Sequence, residues 1–154
     1  MARSFDQNIL AIKDDKISLI INHIIDKETI YELTDACFDI VLNDTKQTIG
    51  NICFDYTLSE GFDYSGNVGY TIDEEYRNMG YASKALKLLK EFIKEISFTG
   101  DKDLYVAMLP ENIYSEKVAI NNGGILCYEG SIPKEHIIRI TENIKDVKVY
   151  KIKM

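Results

Sequence analysis

The sequence predicts a mixed α/β (α+β) fold, in which a mostly antiparallel central sheet contains one parallel β-α-β unit. Three observations predict it. Apolar runs of strand length outnumber helical patterns, a long amphipathic helix follows the fourth run after a glycine turn, and another strand follows that helix. A strand, a helix and a second strand in this order place the two strands parallel with a right-handed crossover. We therefore expect one layered domain over residues 1–154.

The first half of the chain is predicted to consist mainly of strands. Residues 17–25 read ISLIINHII, almost all β-branched or apolar, which favours a buried strand. Residues 38–42 and 48–57 flank a polar turn and form a predicted hairpin. Residues 68–72 are the fourth strand, and residues 26–37 leave room for one short helix at most.

The second half contains the clearest helix, at residues 81–96. Strand 104–109 ends at a proline, residues 115–122 form a short helix before two glycines, and residues 125–128 and 148–152 are the last strands. The lysines of the final strand are typical of a sheet edge. The apolar face of the long helix consists of Ala82, Ala85, Leu86, Leu89, Ile93 and Ile96.

The net charge and composition disfavour several classes of partner. The chain has 25 acidic and 18 basic residues and a net charge of −7, which disfavours nucleic acid or an anionic membrane and suits a cationic amine. It has no apolar run of about eighteen residues and no leader-like N-terminus, so we expect a cytoplasmic protein.

The cysteines and histidines do not form a metal-binding pattern. Cys37, Cys53 and Cys127 are odd in number and lack C-x-x-C spacing, which predicts three reduced thiols. His23 and His136 are too few for a histidine-rich site. We therefore expect no metal.

The turn between the fourth strand and the long helix is built to hold an anion. A helix begins with backbone N–H groups that lack intrahelical partners, and it carries about half a positive charge there. Gly80 allows phosphate oxygens to approach, and Arg77 supplies a counter-charge. Glu74 and Glu75 are expected in an exposed part of the turn.

A second segment carries a related signal. After Pro110, Asn112 and Ser115 open the short helix, either as caps that satisfy free amides or as ligand contacts. The turn R-x-x-G-x-A resembles the pyrophosphate-binding turn of the GCN5-related N-acetyltransferases (GNAT), and the Asn112 segment resembles the one that flanks their pantetheine arm. The resemblance covers roughly residues 38–128.

The resemblance implies acetyl-coenzyme A as cosubstrate. It also implies a bulge at Gly69 and strands that splay to admit the pantetheine, although Gly69 alone is equally consistent with a glycine that faces Phe54. The cofactor-binding residues implied are Tyr70, Thr71, Ile72, Arg77, Asn78, Met79, Gly80, Tyr81, Ala82, Ser83, Asn112, Ser115 and Lys117.

The acid and base that many members of this family use are missing. Ala119 stands where they have a tyrosine and Ala107 where they have a glutamate. The remaining candidates for proton transfer are Asp55, Tyr70, Tyr114 and Glu129. Loop 59–67 and segment 131–146, which contains His136 and Arg139, are the candidates for shaping the acceptor site.

Three functions compete at this point. The first is transfer of acetyl from acetyl-coenzyme A to a primary amine, carried by a small molecule or a peptide, by direct attack. The second is a non-catalytic acyl-coenzyme A binding or sensing module, favoured by the two alanines. Nucleotide binding is less favoured because neither G-x-x-x-x-G-K-[ST] nor G-x-G-x-x-G occurs. Monomer and homodimer both stay open.

Overall fold

The computed structural model describes residues 11–24, 35–56, 62–96 and 103–154. These residues form eight strands and three α-helices. In chain order they are β1 (Ala11–Lys13), β2 (Ile17–Ile24), β3 (Asp35–Leu42), β4 (Thr48–Asp55), β5 (Val68–Ile72), α1 (Tyr81–Ile96), β6 (Leu104–Met108), α2 (Ile113–Asn121), β7 (Ile125–Ser131), α3 (Ile137–Thr141) and β8 (Asp146–Ile152), with a 3₁₀ turn at Glu74–Tyr76.

All eight strands belong to one sheet. Their order is β1-β2-β3-β4-β5-β6-β8-β7, and every neighbouring pair is antiparallel except β5 and β6. This confirms the predicted fold class. The lysines of the last strand predicted a sheet edge, and this prediction is wrong. Strand β8 lies between β6 and β7, and β7 is the edge strand.

The predicted elements are present, with two additions. Helix α1 has the predicted bounds, whereas β3 begins three residues before its predicted start and β7 extends to Ser131. The structure adds the three-residue β1 and the five-residue α3. The short helix expected between the first two strands falls almost entirely on residues 25–34, outside the described part of the chain.

Helix α1 covers one face of the sheet and closes the main core. Its apolar face buries Leu86, Leu89 and Phe92. The Phe92 ring lies edge-on to Phe38 with centroids 5.2 Å apart and is 6.4 Å from Phe54. Complete burial of one such side chain is worth about 1.5–3 kcal/mol, so this face fixes α1 and its first turn against the strands.

A second, smaller cluster lies on the other face of the sheet. Val106 of β6 faces the main core, whereas its neighbour Ala107 packs on the second cluster, as the period of two requires. Val147 and Val149 of β8 and Ile132 form the buried centre of this cluster.

The parallel strands β5 and β6 are joined at their start and diverge from there. Only Val68 and Val106 pair across them. Before that pair, Asn67 donates its backbone N–H to the Tyr105 carbonyl (2.9 Å), and its Oδ1 accepts from the Tyr105 N–H (2.8 Å). Gly66 has φ +70°, and a Cβ there would lie 2.5 Å from the Tyr105 oxygen, so only glycine permits this close approach. The divergence confirms the splayed strands that the resemblance implied.

Neither interpretation of Gly69 is correct. Strand β5 pairs with β4 from Val68 to Ile72 without a register shift, so no bulge occurs between them. A side chain at Gly69 would meet no atom within 4 Å, so the residue does not face Phe54 either.

The expectation of three reduced thiols is wrong in this structure, where Cys37 and Cys53 form a disulfide. They lie directly opposite each other on β3 and β4, with Cα atoms 4.1 Å apart. Their sequence separation of 16 does not reveal this register. Cys127 is free and exposed.

Neither a membrane-spanning helix nor a metal-binding cluster occurs among the described residues. None of their helices is both long and apolar enough to cross a bilayer. They also hold no group of three or more His, Cys, Asp or Glu side chains arranged for a metal ion.

Replacing Asn67 by alanine should lower the free energy of unfolding by about 1–3 kcal/mol, because the Tyr105 N–H and the Asp103 carbonyl lose their partners next to the core. Urea denaturation measures this. Asn51→Ala is the matched control: Asn51 is exposed and accepts one bond from Thr71, so its loss should stay within about 0.5 kcal/mol. Equal losses in the two variants would contradict the role of Asn67.

Protein purified without reductant should show one reactive thiol when it is unfolded and treated with iodoacetamide, since a disulfide sulfur does not alkylate. Peptide mass spectrometry should place the adduct on Cys127 alone, and prior reduction should add Cys37 and Cys53. Labelling of all three cysteines before reduction would show that the pair is not bonded.

Candidate functional site

The turn after β5 is anchored to the end of that strand. Arg77 donates from Nε to the Ile72 carbonyl at 2.8 Å, and Tyr76 donates its hydroxyl to Gln47 Oε1 at 2.9 Å. Asn78 and Gly80 have positive φ values of 63° and 83°. Left-handed residues in a turn direct successive N–H groups toward a common concavity, which is a geometry that binds anions.

The first turn of α1 presents free backbone donors to this concavity. The Lys84 N–H donates to the Gly80 carbonyl (3.1 Å), so the preceding amides have no acceptor within the helix. No acidic residue occurs in this turn. No atom lies within 4 Å of the position that a Cβ of Gly80 would take, so the approach to the amides is open.

A cavity of about 290 Å³ lies against this turn. Among its described lining residues Arg77 is the one charged side chain, and none is a carboxylate. Glu74 and Glu75 are exposed and lie outside the lining, as expected. We call this the first cavity; it is lined by Tyr70, Thr71, Ile72, Tyr76, Arg77, Asn78, Gly80, Tyr81, Ala82, Ser83, Asn112, Tyr114 and Ser115.

Tyr70 links the two sides of the first cavity. Its hydroxyl donates to the Ser115 carbonyl (2.9 Å) and lies 3.0 Å from Ser115 Oγ, so it ties β5 to α2 across the gap between the diverging strands. Burial raises the pKa of Tyr70 to about 12. The phenol is therefore a hydrogen-bond donor at neutral pH and not a base.

Asn112 caps α2, as one interpretation of the sequence proposed. Its Oδ1 accepts the Ser115 N–H at 3.1 Å. The residue also lines a second cavity of about 340 Å³, so the two cavities share Asn112 at the start of α2. The second cavity is lined by Tyr64, Ser65, Ala107, Met108, Leu109, Asn112, Ile138, Glu142, Ile144 and Val147.

One wall of the second cavity is held by an interaction between two loops. His136 Nε2 lies 2.8 Å from Asp63 Oδ1, and Asp63 also accepts from the Ser65 N–H (3.0 Å) and hydroxyl. Burial raises the pKa of Asp63, but the hydrogen bonds from Ser65 and His136 outweigh this and leave it below its usual value. Arg139 donates to the Ile132 carbonyl at 2.5 Å. His136 and Arg139 thus support the wall without lining the cavity.

The structure brings together most of the residues singled out in the sequence. All the predicted cofactor-binding residues except Met79 and Lys117, both exposed, line the first cavity. Tyr114, a candidate for proton transfer, lines it too. Asp55 does not, because it lies on β4 opposite Asp35. Glu129 is exposed on β7, 4.0 Å from the Lys148 ammonium.

Several lining residues were not singled out. Tyr76 was missed in the first cavity, although its position one residue before Arg77 offered a signal. Loop 59–67 and segment 131–146 were proposed for the acceptor side, and residues of both line the second cavity, but Ile138 and Glu142 were not named because α3 was not predicted.

A family model for the acetyltransferase (GNAT) domain matches residues 13–125, which include the anion-binding turn and the start of α2. The chain belongs to the GNAT acetyltransferase family. This is a family of acyltransferases, as the resemblance implied. No sequence among the curated proteins matches the chain.

Solved structures share the fold at low sequence identity. A GNAT-family acetyltransferase from Bacillus anthracis is 24% identical, with a TM-score of 0.57, and the match covers 76% of this chain but only 65% of that one. A proposed ribosomal-protein-serine acetyltransferase from Vibrio cholerae is 15% identical over 95% of this chain and 98% of that chain, with a TM-score of 0.63. The microcin C7 self-immunity acetyltransferase MccE, determined with acetyl-CoA and AMP, is 16% identical over 79% and 62%, with a TM-score of 0.56.

Proposed function

We propose that this GNAT protein transfers an acetyl group from acetyl-coenzyme A to a primary amine by direct attack. One observation carries the proposal: a cavity whose described lining includes no carboxylate lies against the first-turn amides of α1 and Arg77. Such a combination favours a multiply charged anion. The diphosphate of coenzyme A is an anion of this kind.

The shape of the site supports an extended donor. The diphosphate would bind the amides at the start of α1, with Arg77 as counter-charge. The pantetheine arm would then run along the free edge of β5 past Thr71, toward Asn112 and Ser115 on α2. Strand β6 leaves this edge free, because it pairs with β5 at one position only. Beyond that position, the β5 backbone groups that bond neither to β4 nor to Arg77 are available to a ligand, whereas the Ile72 carbonyl already accepts from Arg77.

The transfer balances without a further reactant. The nitrogen lone pair of the neutral amine attacks the thioester carbonyl carbon and forms the C–N bond, and the carbonyl electrons move onto oxygen. When the carbonyl re-forms, the C–S bond breaks and sulfur leaves with its electron pair. The nitrogen loses one proton and the thiolate gains one, so the products are an amide and free coenzyme A.

The proposed reaction needs a group that accepts the proton of the amine. An alkyl ammonium group has a pKa of about 10.4, so at neutral pH the amine has to lose a proton before it attacks. Tyr70 and Tyr114 are the described phenols of the first cavity that were proposed for this step. Asp55 was proposed as well, but its position outside the lining argues against it. We infer that water accepts the amine proton.

Three broader expectations stay predictions. These are a cytoplasmic location, a single domain over residues 1–154, and a monomer or homodimer that works without metal, nucleic acid or membrane. The acidic net charge supports the absence of nucleic acid and anionic lipid among the partners.

Gly80→Asp should weaken acetyl-coenzyme A binding by at least about tenfold, because it places a negative side chain in front of the free amides and strains a residue at φ +83°. Titration calorimetry measures the Kd. Gly123→Asp is the matched control: Gly123 also has φ +83° and open space, but it lies outside the first cavity. Unchanged affinity in Gly80→Asp, with the fold intact by circular dichroism, would contradict the proposed phosphate site.

Incubation with acetyl-coenzyme A and a panel of amines should release free coenzyme A with at least one of them. The panel comprises monoamines, polyamines, amino acids, aminoglycosides and peptides with free N-termini, and thiol release is followed with a chromogenic disulfide. Gly80→Asp should reduce the rate, which ties turnover to the first cavity. Binding of acetyl-coenzyme A without transfer to any amine would favour the sensing module instead, consistent with Ala107 and Ala119 at the usual base and acid positions.

A further inference from the structure

We infer that the second cavity is the acceptor site and that it takes a small primary monoamine carried on a compact apolar group. The inference rests on the proposed function, since it names the amine that receives the acetyl group. It follows from what lines the second cavity, from its charge and from its position next to the first cavity.

Most of the residues that line the second cavity are apolar, although polar atoms contribute nearly half of the exposed lining. Ala107, Ile138, Ile144 and Val147 belong to or pack on the smaller hydrophobic cluster, and Tyr64 adds an aromatic ring. The volume of about 340 Å³ is near the lower end of the roughly 300–1,000 Å³ typical of small-molecule sites. A branched alkyl or a single aryl group suits this lining better than a chain that carries several polar groups.

The charge of the second cavity is opposite to that of the first. Among the described lining residues Glu142 is the one ionisable acid or base other than tyrosine, whereas Arg77 is the one charged residue in the first cavity. A carboxylate attracts an ammonium group, and a single carboxylate compensates a single positive charge. A second ammonium would enter the apolar part of the cavity without a partner, which is unfavourable. The cavity therefore selects monoamines over polyamines.

The position of the second cavity lets the two substrates meet. Asn112 lines both cavities, and β5 and β6 pair at one position only. An amine that fills the second cavity can therefore present its nitrogen to a thioester held in the first. Glu142 attracts the ammonium form, water then takes its proton, and the free lone pair attacks.

The alanine on β6 sets the size of the second cavity. Ala107 is partly buried and its side chain lies on the cavity side of the strand, between Val106 and Met108, which belong to the main core. A larger side chain at this position would occupy volume that the apolar group of the amine needs. Ala107 is thus a specificity-determining residue that does not take part in proton transfer.

The test begins with substrate preference. With acetyl-coenzyme A saturating, kcat/KM is compared for isoamylamine, 2-phenylethylamine, spermidine, glycine and a pentapeptide with an N-terminal leucine. We expect the first two to exceed each of the others by at least tenfold. An equal or greater value for spermidine, glycine or the peptide would overturn the assignment to a small apolar monoamine.

Variants then place the preference in the second cavity. Glu142→Gln should lower kcat/KM for 2-phenylethylamine about tenfold by raising KM, and Glu135→Gln, an exposed carboxylate of the same segment outside the lining, should leave it unchanged. Ala107→Leu should raise KM more for 2-phenylethylamine than for methylamine. Neither Glu142→Gln nor Ala107→Leu should change the Kd for acetyl-coenzyme A.

Binding provides a readout that does not depend on turnover. In saturation-transfer NMR with coenzyme A present, the 2-phenylethylamine signal should decrease in Glu142→Gln and persist in Glu135→Gln. Equal signals in the two variants would overturn the inference. If the protein then still transfers acetyl to other amines and binds acetyl-coenzyme A normally, the proposed function stands. If the unmodified protein does not bind acetyl-coenzyme A at all, the proposed function itself is refuted.

Discussion

The site depends on the incomplete pairing of β5 and β6. Two parallel strands side by side normally satisfy each other's backbone groups along their length, but here the ladder stops after Val68 and Val106. Asn67 stabilises this incomplete pairing. Its backbone and side chain form hydrogen bonds to β6 and to the residue before it, just before the Val68–Val106 pair, and hold the starts of the two strands together. Past that point the strands separate, and Tyr70 spans the gap to Ser115. The first cavity is lined by residues of β5 and the second by residues of β6, and Asn112 lines both.

The distribution of charge explains how an acidic chain can bind an anionic donor. Charges on an exposed surface are screened over about 8 Å at physiological ionic strength, so the net charge matters less to a bound diphosphate than the groups that line its cavity. The first cavity obtains its positive character from backbone amides and one arginine whose Nε is fixed on the Ile72 carbonyl. The nearby acids point elsewhere: Glu74 and Glu75 are exposed on the 3₁₀ turn, and Glu116 is bonded to Tyr150 and Lys148. Among the described residues that line the second cavity Glu142 is the one carboxylate, so the described linings of the two cavities carry opposite charges.

The sequence predicts the parts of this molecule whose signals are local. The helical period fixed the bounds of α1, and the glycine turn with Arg77 identified the first cavity, because caps, periods and turns are encoded within a few residues. The misses concern long-range geometry. The insertion of β8 beside β6, the register that sets Cys37 against Cys53, and the tie of His136 to Asp63 join segments that are far apart in the chain. The two short elements, β1 and α3, have too few residues to show a hydrophobic period in the sequence. Their conformation depends on the neighbouring elements against which they pack.

The two alanines at the usual acid and base positions have physical reasons in this fold. Ala119 is fully buried in the main core beside the turn that ends α2, and a Cβ on Gly124 would already lie 3.3 Å from the Ala119 Cβ, so a tyrosine at position 119 would displace its neighbours. Ala107 borders the second cavity, and a glutamate in its place would fill space and add a second negative charge beside Glu142. The phenol that bridges the opening, Tyr70, is committed to Ser115 and raised in pKa by burial. If water accepts the amine proton, as proposed, catalysis would come mainly from holding amine and thioester together, an effect that reaches effective concentrations of about 10⁵ M or more in well-oriented reactions. The rigid junction at Asn67 and the cap at Asn112 provide the fixed geometry that such a mechanism requires.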